Sequence, residues 1–326
     1  MTIDENYNFL VSTIVPAMNE EGNIEQFCKL FDKMVQAAPF KNELVFIDDG
    51  SSDGTLAKIR QAAQTYDFVR FETHGRNLGL TEALLTGFDL AMGEVFVFYP
   101  ADLQFLPEDI PNLVAKIARG ADVCAGWKQG DYQKPFVSGI YNWLSRKLFG
   151  LKIHDLNSCK AFRREVVEQL FLRRDWHRYL VPLASDKGFL IEEEKVTLHE
   201  RYWGKTKFGS IWRIPIGFLD LIAVKFQVTF LRKPLLFFGS IGSVLVTLGF
   251  LVGLVTIYLR LTDEGYRPLL YLVMLLVGVG MALFVMGFMA EGQVAVKEEM
   301  ADLRKKMMRM MKRKSSTNDS DSSRPT

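Results

Sequence analysis

The first two-thirds of the chain alternates short apolar runs with longer stretches in which apolar residues recur at helical spacing. Runs at Leu10–Val15, Glu43–Ile47, Phe68–Glu72, Val95–Tyr99 and Asp122–Ala125 predict strands. Helical patterns near Ile24–Ala37, Thr55–Tyr66, Leu80–Ala91 and Pro107–Ala118 fall between them. This β-α-β-α order predicts an α/β domain over residues 1–210, with a mostly parallel sheet and helices on both faces. Ligands of such sheets bind at the carboxyl ends of the strands, so the loops that follow each strand are where chemistry is expected.

Beyond residue 210 the pattern changes. No charged residue occurs from Pro234 to Leu259 or from Pro268 to Ala290, and only Arg260 to Arg267 separates the two runs. At ~1.5 Å per residue each can cross a hydrocarbon core of ~30 Å. The sequence therefore predicts a membrane hairpin over 234–291, with spans at 234–259 and 268–290. Ile211–Leu231 carries Trp212, Phe218, Phe226 and Phe230, and predicts interfacial helices over 211–233, with packing against the soluble domain as the alternative. Residues 292–326 read as a basic tail. Its Val294–Lys314 part sets Met residues among Lys297, Arg304, Lys305, Lys306, Arg309, Lys312, Arg313 and Lys314, while Ser315–Thr326 is expected to be disordered. The turn carries only Arg260 and Arg267, so the positive-inside rule places the soluble domain and both termini on the cytoplasmic side of the inner membrane, in a multi-pass protein. The start, Met-Thr-Ile-Asp-Glu-Asn, gives no expectation of a signal peptide.

Composition narrows the chemistry. Across 326 residues, 40 Lys+Arg stand against 38 Asp+Glu, and a net charge of +2 argues against a nucleic-acid partner held by bulk electrostatics. Cys28, Cys124 and Cys159 are widely spaced, which supports neither a zinc ribbon nor a disulfide scaffold. The two spans hold no ionisable residue, which disfavours a channel or transporter.

The loops after the strands are acidic. They read Pro16-Ala17-Met18-Asn19-Glu20, then Asp48-Asp49-Gly50-Ser51-Ser52-Asp53-Gly54-Thr55, then Pro100-Ala101-Asp102-Leu103-Gln104. Ser52 and Asp53 are explained as a helix cap and a turn. Glu20, Asp49 and Asp102 would converge on one crevice and repel one another unless a cation or a donor-rich ligand sits there. Neither GxGxxG nor GxxxxGK[ST] is present.

These segments, with Arg76-Asn77-Leu78-Gly79, resemble the inverting GT-A glycosyltransferases of family 2, over roughly residues 10–210. The closer resemblance is to the polyprenyl-phosphate branch, which includes dolichol-phosphate mannose synthase and the bactoprenol glucosyltransferases. It implies a GT-A, Rossmann-like catalytic domain that moves a sugar from a UDP- or GDP-sugar to a polyprenyl phosphate such as undecaprenyl or dolichyl phosphate. Pro16, Met18, Glu20, Ile47 and Asp49 would line the nucleotide; Asp102 and Gln104 would hold a divalent cation, Mg2+ or Mn2+; Asp155 would sit near sugar and acceptor. Met18 stands where the family usually has Tyr. Pro100 replaces the first Asp of the Asp-Ala-Asp-Leu-Gln pattern, which bears on metal affinity. Lys128, Lys134 and Ser138 fall where the family places groups for the lipid phosphate, and Arg201, Lys205 and Lys207 form a basic, Gly-hinged loop suited to a diphosphate. Asp155 could instead cap a helix starting near Arg163, and Tyr141, Trp143 and Leu144 could touch a prenyl chain or pack in a core. Three readings stay open beside this one: a glycolipid-forming transferase, a polysaccharide synthase with a hydroxyl acceptor, and a catalytically weakened donor-binding protein. Gly278, Gly280 and Gly287 would permit close helix packing, including in a homo-oligomer.

Overall fold

The computed structural model describes residues 7–130, 146–151, 153–156, 158–170, 172, 176–203, 219, 221–226, 233–262 and 267–321. The chain divides into two units, Met1–Leu221 and Ile222–Thr326.

The first unit follows the expected order. Its early elements are β1 (Leu10–Ala17), α1 (Glu21–Ala37), β2 (Lys41–Asp48), α2 (Thr55–Thr65), β3 (Val69–Thr73), α3 (Leu80–Leu90) and β4 (Val95–Phe98). A 3-10 turn at Pro107–Asp109, α4 (Ile110–Ala118) and β5 (Val123–Gln129) follow. Then come β6 (Lys160–Arg163), α5 (Arg164–Gln169), a 3-10 turn at Trp176–Tyr179, α6 (Leu180–Asp186) and β7 (Ile191–Thr197). The sheet order is β3-β2-β1-β4-β6-β5-β7, and β6 alone runs antiparallel to its neighbours.

Strand alternation splits the core in two. Leu44 and Phe46 of β2 pack with Phe27 and Phe31 of α1, Ile59 of α2 and Leu113 of α4. Val45 and Ile47 point the other way, toward Leu84 and Phe88 of α3 and Leu180 and Val181 of α6. Burial on both faces is why these strands are rich in Val, Ile, Leu and Phe. The amino ends of β1 and β2 are locked by buried Glu43, which accepts from Ser12 Oγ at 2.5 Å and from Met92 N at 2.6 Å. At the other end Ala17 sits beside Asp48 in register, so the loops after β1 and β2 leave the sheet side by side.

In the second unit, α7 (Pro234–Leu261) and the Arg267–Val296 part of α8 (Arg267–Asp321) are long and apolar enough to cross a membrane. They approach most closely at glycines: a Cβ on Gly242 would lie 2.9 Å from Phe284 N, and one on Gly287 would lie 3.2 Å from Gly239 N. Gly280 and Gly287 are thus used inside the hairpin, whereas a side chain on Gly278 would meet open space. Glu291 Oε2 accepts from Leu235 N at 3.1 Å, which places a carboxylate on the positive amino end of α7. A disordered end was expected after residue 315, but α8 runs to Asp321. Between Val294 and Ser320 neither Gly nor Pro interrupts a run rich in Lys, Arg, Glu and Met, which favours helix. Most of 211–233 lies outside the described residues.

His177 secures the 3-10 turn to α3 through Thr81, with Nδ1 and Oγ1 3.1 Å apart. Burial, reinforced by Arg178, pushes its pKa down to about 3, from an ordinary value of 6.5. The unfolded chain therefore binds an extra proton between these values, and this contribution to stability is lost as pH falls from 6.5 toward 3. His177→Gln should flatten that part of the pH dependence of the melting temperature; a decline as steep as in the parent would remove His177 as its source.

Candidate functional site

The loops at the carboxyl ends of β1 and β2 are stitched together before any ligand is considered. Asn19 takes a left-handed backbone (φ 52°), which Asn tolerates better than most residues. Its N–H donates to Ser51 Oγ at 2.9 Å, and its side-chain oxygen accepts from Ser52 N at 2.8 Å. Glu20 N donates to Thr55 Oγ1 at 2.8 Å, and Glu21 Oε2 accepts from Gly54 N at 2.7 Å. Asp53 accepts from Thr55 N at 3.0 Å, a bond that closes the turn read there, while the cap position of α2 is Gly54 and carries no side-chain cap bond.

Asp49 does not join the other acids. Its carboxylate accepts from Leu78 N and Gly79 N, both at 2.9 Å, and pairs with His74 Nδ1 at 2.8 Å. The far nitrogen of His74 meets Thr86 Oγ1 at 3.0 Å. Asp49 thus anchors the Arg76–Gly79 loop to the second strand, and His74 is a site-bordering residue that the sequence did not point to. Its only signal was its place just after β3. Asn77 Nδ2 lies 2.5 Å from Met18 Sδ, which brings the same loop onto the first one. Pro16 is partly exposed beside them. Ile47 requires a correction. Its side chain was expected against the nucleotide, but it is fully buried among Leu84 and Phe88, because strand alternation turns it to the α3 face.

The loop after β4 presents the remaining acid. Leu103 has φ 57°, a strained conformation for a bulky residue, costing on the order of 1–3 kcal/mol. Its side chain is buried, and Tyr99 Oη donates to Leu106 O at 2.6 Å, so packing holds the turn. Asp102 and Gln104 consequently converge. Arg201 Nη2 lies 2.8 Å from Asp102 Oδ2 and 3.5 Å from Gln104 Oε1, while Nη1 lies 3.9 Å from Glu20 Oε1. Burial raises the Asp102 carboxyl above the usual range, and Arg201 and the Gln104 N–H oppose that rise. His199 N donates to Gln104 O at 2.8 Å, so the segment carrying Arg201 is fastened to this turn.

A second charged cluster involves Asp155. Lys128 Nζ lies 3.3 Å from Asp155 Oδ2. Lys160, fully buried, donates to Ser158 O at 2.6 Å, and burial pushes its pKa down to about 8 against the opposing pull of Asp155. Asp155 does not cap the following helix, whose cap residue is Arg163 and makes no side-chain cap bond. His154 stacks on Trp127 at 3.9 Å and pairs with Glu193 at 2.8 Å. Burial pushes the Cys28 and Cys159 thiols up to about 12 and raises Cys124 as well, so none is a ready nucleophile. Lys134, Ser138, Tyr141, Trp143, Leu144, Lys205 and Lys207 lie outside the described residues.

A divalent cation fits one point in this site. Asp102 and Gln104 supply two hard oxygen donors aimed at the place where a guanidinium nitrogen sits. Among the described residues no set of three His, Cys, Asp or Glu side chains forms a complete metal cage. Further ligands would have to come from a bound diphosphate or water.

Comparison with known proteins bears on the whole arrangement. Residues 12–171 match the family described as Glycosyl transferase family 2. The chain is 31% identical over 305 residues to the dodecaprenyl-phosphate galacturonate synthase of Rhizobium johnstonii, covering 89% of each chain. It is 30% identical over 296 residues to the undecaprenyl-phosphate 4-deoxy-4-formamido-L-arabinose transferase of Shewanella sediminis, covering 85% of each. Among solved structures, glucosyl-3-phosphoglycerate synthase from Mycobacterium tuberculosis, in complex with Mn2+, UDP and glucosyl-3-phosphoglycerate, superposes with a TM-score of 0.53 at 19% identity. That match covers 68% of this chain and 80% of the other, and demonstrates the shared fold. The same synthase with Mg2+ and UDP gives a TM-score of 0.54 at 19% identity, over 66% of this chain and 80% of the other.

Asp49→Ala would orphan two backbone N–H groups, at about 1–3 kcal/mol each. The Arg76–Gly79 loop should loosen, and binding of whichever of UDP and GDP the parent takes, measured by calorimetry, should weaken by about tenfold or more. Unchanged affinity would separate this loop from a nucleotide site.

Proposed function

Since the chain belongs to glycosyltransferase family 2, we propose that it transfers a sugar from a nucleotide sugar to a polyprenyl phosphate with inversion at the anomeric carbon. The observation that carries this reading is the extent of similarity to the Rhizobium synthase: 89% of the chain is more than residues 1–221 could supply, so the match reaches into the helical hairpin as well as the sheet. A phosphate monoester has its second pKa near ~6 and arrives ionised at neutral pH. Such a nucleophile needs no strong general base. The protein's task is to place it in line with the anomeric carbon and to neutralise the departing diphosphate.

The residues divide along those lines. Glu20, Asp49, Pro16 and Met18 border the nucleotide, Asp49 by holding the 76–79 loop. Asp102 and Gln104 would hold a divalent cation, which when bound supplies positive charge to the diphosphate. Arg201 gives the leaving diphosphate a planar pair of donors. Lys205 and Lys207 extend that positive field along the same loop. Lys128, Lys134 and Ser138 receive the acceptor phosphate, and Asp155, held by Lys128, orients sugar or acceptor. As the acceptor oxygen bonds to the anomeric carbon, the bond from that carbon to the diphosphate oxygen breaks, and its electron pair leaves with the nucleoside diphosphate. The expected donors are UDP- or GDP-sugars.

Radiolabelled sugar transfer to undecaprenyl phosphate should exceed transfer to undecaprenol or to a free oligosaccharide. Asp155→Asn should retain residual transfer, whereas Arg201→Ala should lose ~2–5 kcal/mol of stabilisation, roughly 30-fold to several thousand-fold in rate. Equal or better transfer to either hydroxyl acceptor would sink the lipid-phosphate reading.

The hairpin would place both termini on the cytoplasmic side. The native cysteines are buried, so a cysteine introduced at Thr262 offers a clean label site. An impermeant maleimide should react with it from outside the cell; reaction only after the membrane is opened would reverse the topology.

A further inference from the structure

Arg201 occupies the point where the two metal-binding oxygens meet. We propose that its guanidinium is a resident counter-cation that holds the metal position while the donor is away, so that a divalent cation enters together with the nucleotide diphosphate and not before it. The inference rests on the assignment of Asp102 and Gln104 to the metal, and on nothing about the acceptor.

Three observations carry it. The first is occupancy: one nitrogen of Arg201 is 2.8 Å from Asp102 Oδ2 and 3.5 Å from Gln104 Oε1, and the other is 3.9 Å from Glu20 Oε1. A cation bound to Asp102 and Gln104 would compete with that guanidinium for the same lone pairs and would meet its charge at contact distance. The second is that the pose is built into the fold. On one side of Arg201, His199 N is fastened to Gln104 O at 2.8 Å. On the other, the Trp203 indole is seated over Gly22, where a Cβ would lie 2.6 Å from the ring, and Trp203 O is 3.4 Å from Asn23 Nδ2. Any side chain at position 22 would displace the indole, so glycine at the start of α1 and Trp203 together set where Arg201 reaches. The third is the donor set. With Pro100 in place of a carboxylate, Asp102 is the only acid that the 100–104 turn supplies. One carboxylate and one amide oxygen make a weak site for a bare divalent ion, and the resident guanidinium weakens it further. A diphosphate changes both conditions. It draws Arg201 off the carboxylates by offering a doubly charged partner, and it brings oxygens that complete the coordination shell.

The consequence is a binding order. In the free protein Arg201 neutralises Glu20 and Asp102. In the loaded one it moves onto the diphosphate, and the divalent cation takes its former place. Substituting Arg201 should then have opposite effects on two measurements: transfer falls, while binding of the metal alone rises. The gain follows because the guanidinium would no longer occupy the oxygens of Asp102 and Gln104 that the metal needs.

The experiment is Mn2+ binding to the purified full-length protein, followed by electron paramagnetic resonance, without donor or acceptor and then with UDP. The parent should bind Mn2+ alone weakly and gain about tenfold or more with UDP. Arg201→Gln should bind Mn2+ alone about tenfold or more tighter than the parent and lose most of the gain from UDP. Arg201→Lys, which keeps a positive charge in reach, should stay near the parent. Adding Asp102→Asn to Arg201→Gln should abolish the increase. Circular dichroism and melting temperature establish that each variant is folded. Arg201→Gln binding Mn2+ alone no tighter than the parent would overturn the proposal, as would an increase that survives Asp102→Asn. Because the assay contains neither sugar nor lipid, failure of the polyprenyl-phosphate reading would leave its outcome unchanged.

Discussion

Carboxylates delivered to one edge of a parallel sheet cannot stand there unpaired, and the architecture of the catalytic unit is arranged around that fact. The parallel register of β1, β2 and β4 carries three acidic loops to the same end. At this partly buried edge the mutual repulsion of like charges is weakly screened. The fold resolves it in two ways. Asp49 is given two backbone N–H groups and a histidine, becoming a fixed part of the scaffold. Glu20 and Asp102 share an arginine on a segment that arrives from the far edge of the sheet after β7, and Glu20 also accepts from Asn23 Nδ2 at 2.5 Å. The first solution is permanent. On the reading proposed above the second would be exchanged for a ligand, and that difference would separate structural acid from functional acid in a set whose members look alike in sequence.

How far the sequence discloses this follows from the same physics. β1 to β5 and α1 to α4 were legible because both faces of the central strands are buried, so the runs are continuously apolar and bounded by Gly, Asp and Pro. β6 and β7 were not. β6 has four residues, Lys-Ala-Phe-Arg, with a buried lysine at its start. β7 reads Ile-Glu-Glu-Glu-Lys-Val-Thr and lies at an edge, where charge guards against stray pairing and erases the apolar pattern. The convergence of Glu20 and Asp102 could be inferred from topology alone, but the neutralisation of Asp49 by main-chain groups could not, because backbone donors leave no mark in a sequence. Ile47 was misread for a related reason: its neighbours in the motif face the ligand edge, and only the strand's alternation, combined with knowledge of which face α3 covers, turns it into the core.

The second unit obeys a different constraint. In hydrocarbon there is little hydrophobic gain from bringing two apolar helices together, so contact depends on close packing and on the few polar groups present. The glycines at 239, 242, 280 and 287 let the two backbones meet, and Glu291 at the edge of the span answers the unsatisfied amides at the start of α7. Leu, Val, Phe and Met fill the remainder of the surface, as a lipid-facing helix requires. The sequence announced two candidate spans at once through their lack of charge. Which glycines serve the hairpin depended on knowing the facing residues; the continuation of α8 past its apolar part was favoured by the local sequence itself.

On the proposed reaction, the chemistry of a lipid-phosphate acceptor would explain why the site is built from so few kinds of side chain. A sugar hydroxyl must lose a proton to become a good nucleophile, and a transferase that uses one needs a base placed beside it. A lipid phosphate has already lost its protons. What it brings is charge, and the donor brings more, so the dominant cost in assembling the reactants is electrostatic repulsion between two anions in a crevice that already contains carboxylates. Lysine and arginine address that cost directly, and the lysine beside Asp155 together with the arginine beside Asp102 keeps each acid from adding to it. The same reasoning accounts for tolerance of proline at position 100. A second carboxylate there would strengthen the hold on a bare cation but would also add negative charge where two phosphates must come together. Where a bound diphosphate supplied oxygen ligands, one acid and one neutral amide would suffice for the proposed cation, and the lost carboxylate would be one fewer charge for the cations of the site to offset.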